Sequence, residues 1–168
     1  MKIIKDPVHG YVEADALALR LLDSEVVQRL RHISQLGFAN LVYPGANHTR
    51  FEHSLGTMHL ARLMSQQLGL DDEETKLVTT AALLHDVGHG PFSHVTEPVM
   101  EEFTGRSHHE IEHLVREGTI AGILEAEGID PAEVCAVVSG EHRLASIIHG
   151  SLDVDRMDYL MRDAHYTG

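Results

Sequence analysis

Four short segments of this chain hold side chains able to bind a metal ion or move protons. They are Arg50-Phe51-Glu52-His53, Leu84-His85-Asp86, His108-His109-Glu110 and Asp153-Val154-Asp155. They draw on an excess of histidine: the 168 residues include 14, most of them between His48 and His113. A local surplus of imidazole points to metal binding or acid–base work. His53, His85, Asp86 and one of the late aspartates would make a mixed nitrogen–oxygen site. Such a site suits Mn, Fe, Zn, Ni or Co and leaves positions open for water and substrate. A metal there would polarise a phosphoryl oxygen and acidify water.

Neighbouring residues on a regular helix point about 100° apart. His85 and Asp86 can therefore share an ion only where a helix ends or distorts. The sequence supplies such a place, because an apolar run, Ala81-Ala82-Leu83-Leu84, leads into His85-Asp86 and then Gly88-His89-Gly90-Pro91. Further on, Tyr159 and Asp163 are four residues apart and share a helix face.

The elements that must position these groups follow from patterning. Lys2 to Glu13 reads as a short β-hairpin around Pro7-Val8-His9-Gly10. A helix is predicted from Asp15 to Leu22. Asp23-Ser24 breaks it, and a second helix runs from Glu25 to Leu36, with Val26, Leu30 and Ile33 on one face and Gly37 ending it. Residues Phe38 to Thr49 form a loop. A long helix from Arg50 to Leu68 places Leu55, Met58, Ala61, Leu63, Met64 and Leu68 mostly inward, and Gly69 stops it. Asp71 and Glu74 form a capping box for a central apolar helix. Further helices are predicted at Ser93–Phe103, with Pro98 as a kink point, His108–Glu117, Thr119–Glu127, Pro131–Ser139, Leu144–His149 and Val154–His165. The fold class is all-α, a helical bundle with a short N-terminal hairpin.

Composition agrees. Aromatics are 5% and tryptophan is absent, so the core must be aliphatic, which suits packed helices. A net charge of −13 disfavours nucleic acid and anionic membranes, so an anionic substrate needs a metal or a local basic group. The single cysteine, Cys135, lies in an apolar run and reads as a buried, inert thiol. No secretory signal or membrane span is visible, which places the chain in the cytoplasm.

Three of the quoted motifs, taken in order, carry a resemblance to a known family. Arg50-Phe51-Glu52-His53-Ser54-Leu55-Gly56 resembles the first histidine motif of the HD-superfamily metal-dependent phosphohydrolases. The stretch from Leu83 through His85-Asp86 to His94 resembles their central HD motif. Asp153-Val154-Asp155-Arg156-Met157-Asp158-Tyr159 resembles their closing aspartate motif. In their long forms these motifs are similar to those of the deoxynucleoside triphosphate triphosphohydrolases, including the kind that joins an HD domain to a sterile alpha motif. The resemblance implies that residues 1–168 are an HD domain, the N-terminal part of a longer architecture.

It also implies roles. The metal ligands are His53, His85, Asp86 and Asp155, with Asp153 bracing the last. His89, His94, His109 and Glu110 surround the scissile phosphate, with His94 the proton donor to the leaving group and His89 on the α-phosphate. Glu97 stands where close relatives carry aspartate. Arg50 and Arg156 clamp phosphates, Arg156 replacing a lysine. Gln35 and Leu36 test the sugar, and Tyr159 and Asp163 contact sugar and phosphate. Asp23, Gln28 and Arg31 match positions that bind an activating guanine nucleotide. The implied cofactor is a divalent transition metal (Mn, Fe, Zn, Ni or Co), with Mg on the substrate phosphates as a further option. The implied partners are a nucleotide substrate, a guanine-nucleotide activator and further copies of the chain. The implied reaction releases deoxynucleoside and triphosphate; the alternatives are another HD phosphohydrolase (a nucleotidase or phosphodiesterase) and a non-catalytic nucleotide sensor.

Overall fold

The structure, a computed structural model, describes residues 1–107 and 110–168, with backbone alone at 93 and 94. Strand β1 (Lys2–Asp6) pairs antiparallel with β2 (Gly10–Ala14), in register from Lys2 opposite Ala14 to Asp6 opposite Gly10. Asp6 holds the turn between them: its Oδ1 accepts from the backbone N–H of Val8 and of His9, at 2.9 and 2.8 Å. Alternation does the rest, burying Val12 and Ala14 against the helices.

The helices follow in chain order as α1 (Ala16–Leu22), α2 (Glu25–Gln28), α3 (Arg50–Leu68), α4 (Asp72–Leu84), α5 (Ser93–Thr104), α6 (Glu112–Val115), α7 (Gly118–Ala126), α8 (Pro131–Ser139) and α9 (Val154–Thr167). Their starts are chemically explicit. Asp15, Ser24, Asp71, Asp130 and Asp153 each accept a backbone N–H from the first turn they cap. Thr49 and Glu52 form a capping box on α3, as Asp71 and Glu74 do on α4. Helix α4 is central, packed against α3 and α8, with Val78, Ala81, Ala82, Leu83 and Leu84 fully buried. Helix α9 lies against α3. Cys135 is buried in α8, and burial pushes its thiol up to about 11, which makes it unreactive. Among the described residues no helix is long and apolar enough to cross a membrane.

Several expectations need correction. The helix predicted from Glu25 to Leu36 is α-helical only to Gln28, tightens to a 3-10 turn over Arg29–His32, and reaches extended backbone at Ile33. Tertiary pairing ends it. Ile33 O accepts from Arg50 N (2.9 Å), Gln35 N donates to His48 O (3.1 Å), and Ser34 bridges Thr49. Gly37, with φ +55°, opens a 3-10 turn (Gly37–Leu41) instead of stopping a helix, so the predicted loop from Phe38 starts inside it. Leu63 and Leu68 of α3 are 45% and 60% exposed, because the helix's inward stripe is set by Leu55, Met58 and Ala61. Between 110 and 117 only the Glu112–Val115 turn is α-helical, and the predicted Leu144–His149 helix is a 3-10 turn, Ala145–Ile147. Short segments of this kind cannot sustain helix nucleation without flanking turns.

One buried cluster ties the hairpin to α3 and α9. Arg162 is wholly buried, and its guanidinium binds Asp6 (2.9 and 3.3 Å) and Asp158 (2.9 and 3.0 Å). Asp158 also meets His9 Nε2 at 2.6 Å and His53 Nδ1 at 2.7 Å. Gly56 of α3 gives this cluster its room. A Cβ there would overlap Asp158 Oδ1 and come within 2.5 Å of Arg162 Nη2. Gly56→Ala is therefore predicted to cost about 3 kcal/mol or more by prising apart a buried ion pair. Gly122→Ala in α7 has open space at its Cβ and should be neutral or stabilising by up to about 1 kcal/mol. Urea denaturation of the two variants checks the contrast.

Candidate metal centre and substrate cavity

Two helix ends bring the candidate ligands together. His53 stands in the first turns of α3, fixed there by the Thr49–Glu52 box. Helix α4 stops at Leu84, so His85 and Asp86 occupy the turn beyond it and are released from the helical spacing that would separate them. His85 Nδ1 donates to the Ala82 carbonyl at 2.8 Å, and His53 Nδ1 donates to the Asp158 carboxylate at 2.7 Å. With both Nδ1 atoms committed, each ring turns its Nε2 toward the same region. Ligand atoms of His53, His85 and Asp86 all lie within 4.8 Å of one another. Asp155, from the first turn of α9, places Oδ1 3.0 Å from His53 Nε2 and 3.7 Å from His85 Nε2. Asp153 caps that turn, accepting from Arg156 N (2.7 Å) and Gly150 N (2.9 Å).

The residues fit a divalent cation. His85 Nε2 is buried without a hydrogen-bond partner, a costly state unless a ligand completes it. The electrostatics agree. Burial opposes a charge on His53, yet its bonds to Asp155 and Asp158 and the field of Asp86 outweigh this and push it up to about 10. On His85 burial also opposes, and Asp86 and Asp155 raise it. Asp86 sits well below the ordinary carboxylate range: burial works against this, and the charges of His85 and Arg50 and the His89 hydrogen bond prevail. Asp155 and Asp158 are lowered too, against burial, chiefly by their histidine partners. The cluster demands positive charge, which a metal ion can provide in place of protons.

Other candidate residues divide into groups. His89 is buried, with Nε2 3.2 Å from Asp86 Oδ1. Arg50, a predicted phosphate clamp, is also buried, with Nη1 2.6 Å from Asp86 Oδ2. Gln35, Leu36, Tyr159 and Asp163 come together on the wall of a cavity of about 520 Å³, with Phe38 and Phe92 opposite one another as a stacked pair 4.2 Å apart. Phe92 has φ +54°, the one non-glycine with positive φ among the described residues, a strained conformation held at the mouth of α5. Arg156 is exposed and bonds Ser151 O at 3.3 Å, outside the cavity lining. Glu110 is exposed and accepts from Ser107 N at 3.3 Å. The side chain of His94, and all of His109, lie outside what the structure describes. Asp23 is exposed at the end of α1, while Gln28 bonds Leu22 O (2.6 Å) and accepts from Arg31 (2.9 Å), whose guanidinium covers Phe51 at 3.6 Å.

Motif reading gave no role to Asp6, His9, His48, Asp158 or Arg162. A signal existed for one pair: Asp158 and Arg162 are four residues apart with opposite charge. The others meet only through long-range contacts.

The protonated state of the ligands yields a linkage prediction. In the metal-free protein His53 holds its proton up to about pH 10. Its raised pKa stabilises the fold fully below its ordinary value near 6.5, and that contribution is lost as pH rises toward about 10. Metal binding must expel this proton. Calorimetry in buffers of different ionisation enthalpy should show proton release at pH 7, with metal affinity rising with pH. A His85→Ala, Asp86→Ala variant should bind no metal.

A family model described as the HD domain matches residues 50–163, more than half of the chain. An uncharacterized protein of Methanocaldococcus jannaschii is 41% identical over the whole chain, which covers 34% of that protein. A Dictyostelium discoideum protein, a deoxynucleoside triphosphate triphosphohydrolase SAMHD1 homolog, is 36% identical over 99% of the chain and 37% of its own length. A crystal structure of a phosphohydrolase from Bacteroides thetaiotaomicron superposes with a TM-score of 0.84 at 38% identity, covering 99% of this chain and 42% of that one. The chain thus spans less than half the length of these relatives. With the family model spanning both helix ends that carry His53, His85 and Asp86, and the closing turn that carries Asp155, the chain belongs to the HD-domain family.

Proposed function

We propose that this chain carries the catalytic domain of a metal-dependent phosphohydrolase that splits deoxynucleoside triphosphates into deoxynucleoside and triphosphate. One observation carries the reading. Asp155, Tyr159 and Asp163 follow one another at four-residue intervals along α9, so a single helix face runs from the metal centre to the cavity wall. A substrate can then place its phosphates at one end and its sugar at the other. The Dictyostelium relative's name supports the same substrate class.

A divalent transition metal held by His53, His85, Asp86 and Asp155 would supply Lewis acidity toward a phosphoryl oxygen and acidify water. The protein's own residues do the rest. Arg50 and His89 fix the Asp86 carboxylate from two sides and face the α-phosphate, where developing charge must be met. Water attacks the α-phosphorus in line, and the bond to O5′ breaks. The family motif gives His94 the role of returning a proton to O5′, supported by His109 and Glu110, and gives Arg156 a second phosphate contact. In the cavity, Gln35 and Leu36 close on C2′, admitting deoxyribose and excluding a 2′-hydroxyl. Gln35 Oε1 is buried without a hydrogen-bond partner, and with the amide turned over its NH2 can donate to a sugar oxygen. The stacked Phe38–Phe92 pair offers one flat apolar surface to a base. Asp23, Gln28 and Arg31 form a separate surface for an activating guanine nucleotide, whose edge a carboxylate and a guanidinium can read by paired bonds. Assembly into a homo-oligomer in the cytoplasm completes the reading.

The test incubates the protein with Mn²⁺ and each deoxynucleoside triphosphate or ribonucleoside triphosphate, with and without GTP, and separates the products by chromatography. Triphosphate should appear from deoxynucleotides only, more of it with GTP, and fall to background in the His85→Ala, Asp86→Ala variant. Metal binding without triphosphate release contradicts the proposal. Hydrolysis of a nucleoside monophosphate or a phosphodiester would then mark another HD phosphohydrolase, and nucleotide binding without turnover a sensor.

A further inference from the structure

His48 joins both polar walls of the cavity while exposing almost nothing of itself. The residue is 1% exposed and its ring is stacked on Tyr166, with centroids 4.7 Å apart. Its Nε2 lies 2.9 Å from Asp163 Oδ1, and its backbone carbonyl accepts from Gln35 N at 3.1 Å. One residue thus ties Gln35, on the chain after α2, to Asp163, on α9. The loop before it is built to allow this, since a Cβ at Gly45 would come within 2.5 Å of the Tyr166 carbonyl.

His48 Nδ1 is buried with no hydrogen-bond partner, so the ring is tied to the protein's polar groups through Nε2. A carboxylate accepts, and Nε2 therefore donates to Asp163. The Asp163 side chain is 27% exposed at the cavity. Among the described residues no other donor reaches its carboxylate, so Oδ2 remains to accept from a ligand.

Asp163 is the sugar contact of the nucleotide reading above, and we propose that His48 is a positioning residue for it, holding the carboxylate so that Oδ2 is turned to the 3′-hydroxyl of a bound deoxynucleotide. The 3′-hydroxyl is the one free sugar hydroxyl such a substrate has. This rests on the nucleotide reading above. A carboxylate locked before binding loses no rotamer freedom when the sugar arrives, so the lock shows as affinity.

The experiment measures binding of dATP and of 2′,3′-dideoxyATP by calorimetry, with Ca²⁺ in place of a transition metal to suppress turnover. His48→Phe keeps a ring against Tyr166 and removes the donor, while His48→Gln returns an amide N–H near Nε2. His48→Phe should weaken dATP by roughly tenfold, leave dideoxyATP unchanged, and be largely rescued in His48→Gln. His48→Asn, whose amide is too short to reach Asp163, carries the same comparison if the phenylalanine variant does not fold. Equal losses for both nucleotides, or no loss for dATP, overturn the positioning role alone. A parent protein that binds both nucleotides equally also overturns it alone. If the parent binds neither, the nucleotide reading falls and this inference with it.

Discussion

The carboxylate of Asp158 is buried where the hairpin, α3 and α9 meet, and it receives His9, His53 and Arg162 together. Buried charges are costly unless every polar atom is matched. Here the guanidinium of Arg162 spans Asp158 and Asp6, and Asp6 in turn gathers the hairpin's turn, so the cluster is satisfied from both sides. Breaking one partner would leave the others charged in a dry interior. That asymmetry explains how a two-stranded hairpin, too small to be stable by itself, is held against the bundle in a fixed place.

The same carboxylate decides what the centre can bind. By accepting from His53 Nδ1 it sets the tautomer and aims Nε2 at Asp155 and Asp86. The Ala82 carbonyl does this for His85. Two imidazoles are thereby aligned by different means, one through an ion-paired side chain and one through a helix's last turn. Around them Asp86 and Asp155 concentrate negative charge, which protons on the histidines, Arg50 and His89 help to balance among the described residues. A cation site of this kind follows from the packing of α3, α4 and α9, three elements whose ends converge.

Much of this was legible in the sequence because it is local. Helix α3 begins and ends on Thr49, Glu52 and Gly69, which are explicit signals, and the His85-Asp86 pair sits where an apolar helix meets glycine. The segment after α2 was misread because Ile33 and Gln35 make their backbone bonds with the chain near Arg50 and His48; the helical pattern of Leu30 and Ile33 says nothing of that competition. Asp6 and Arg162 are 156 residues apart in sequence, and no periodicity relates them. His48 reads as one loop histidine among many until Asp163 and Tyr166 close over it. Substrate-wall residues were found through the family motif; their convergence on one cavity is a property of the fold.

The most direct test replaces Asp158 by asparagine and measures Mn²⁺ affinity by calorimetry beside the parent. An amide keeps the size of the side chain but loses the charge that fixes His53 and balances Arg162. Metal affinity is predicted to fall by about 10–100-fold, with the variant still folded by circular dichroism. Unchanged affinity in a folded variant would show that His53 is oriented without Asp158 and would contradict the view of this carboxylate as the organiser of the centre.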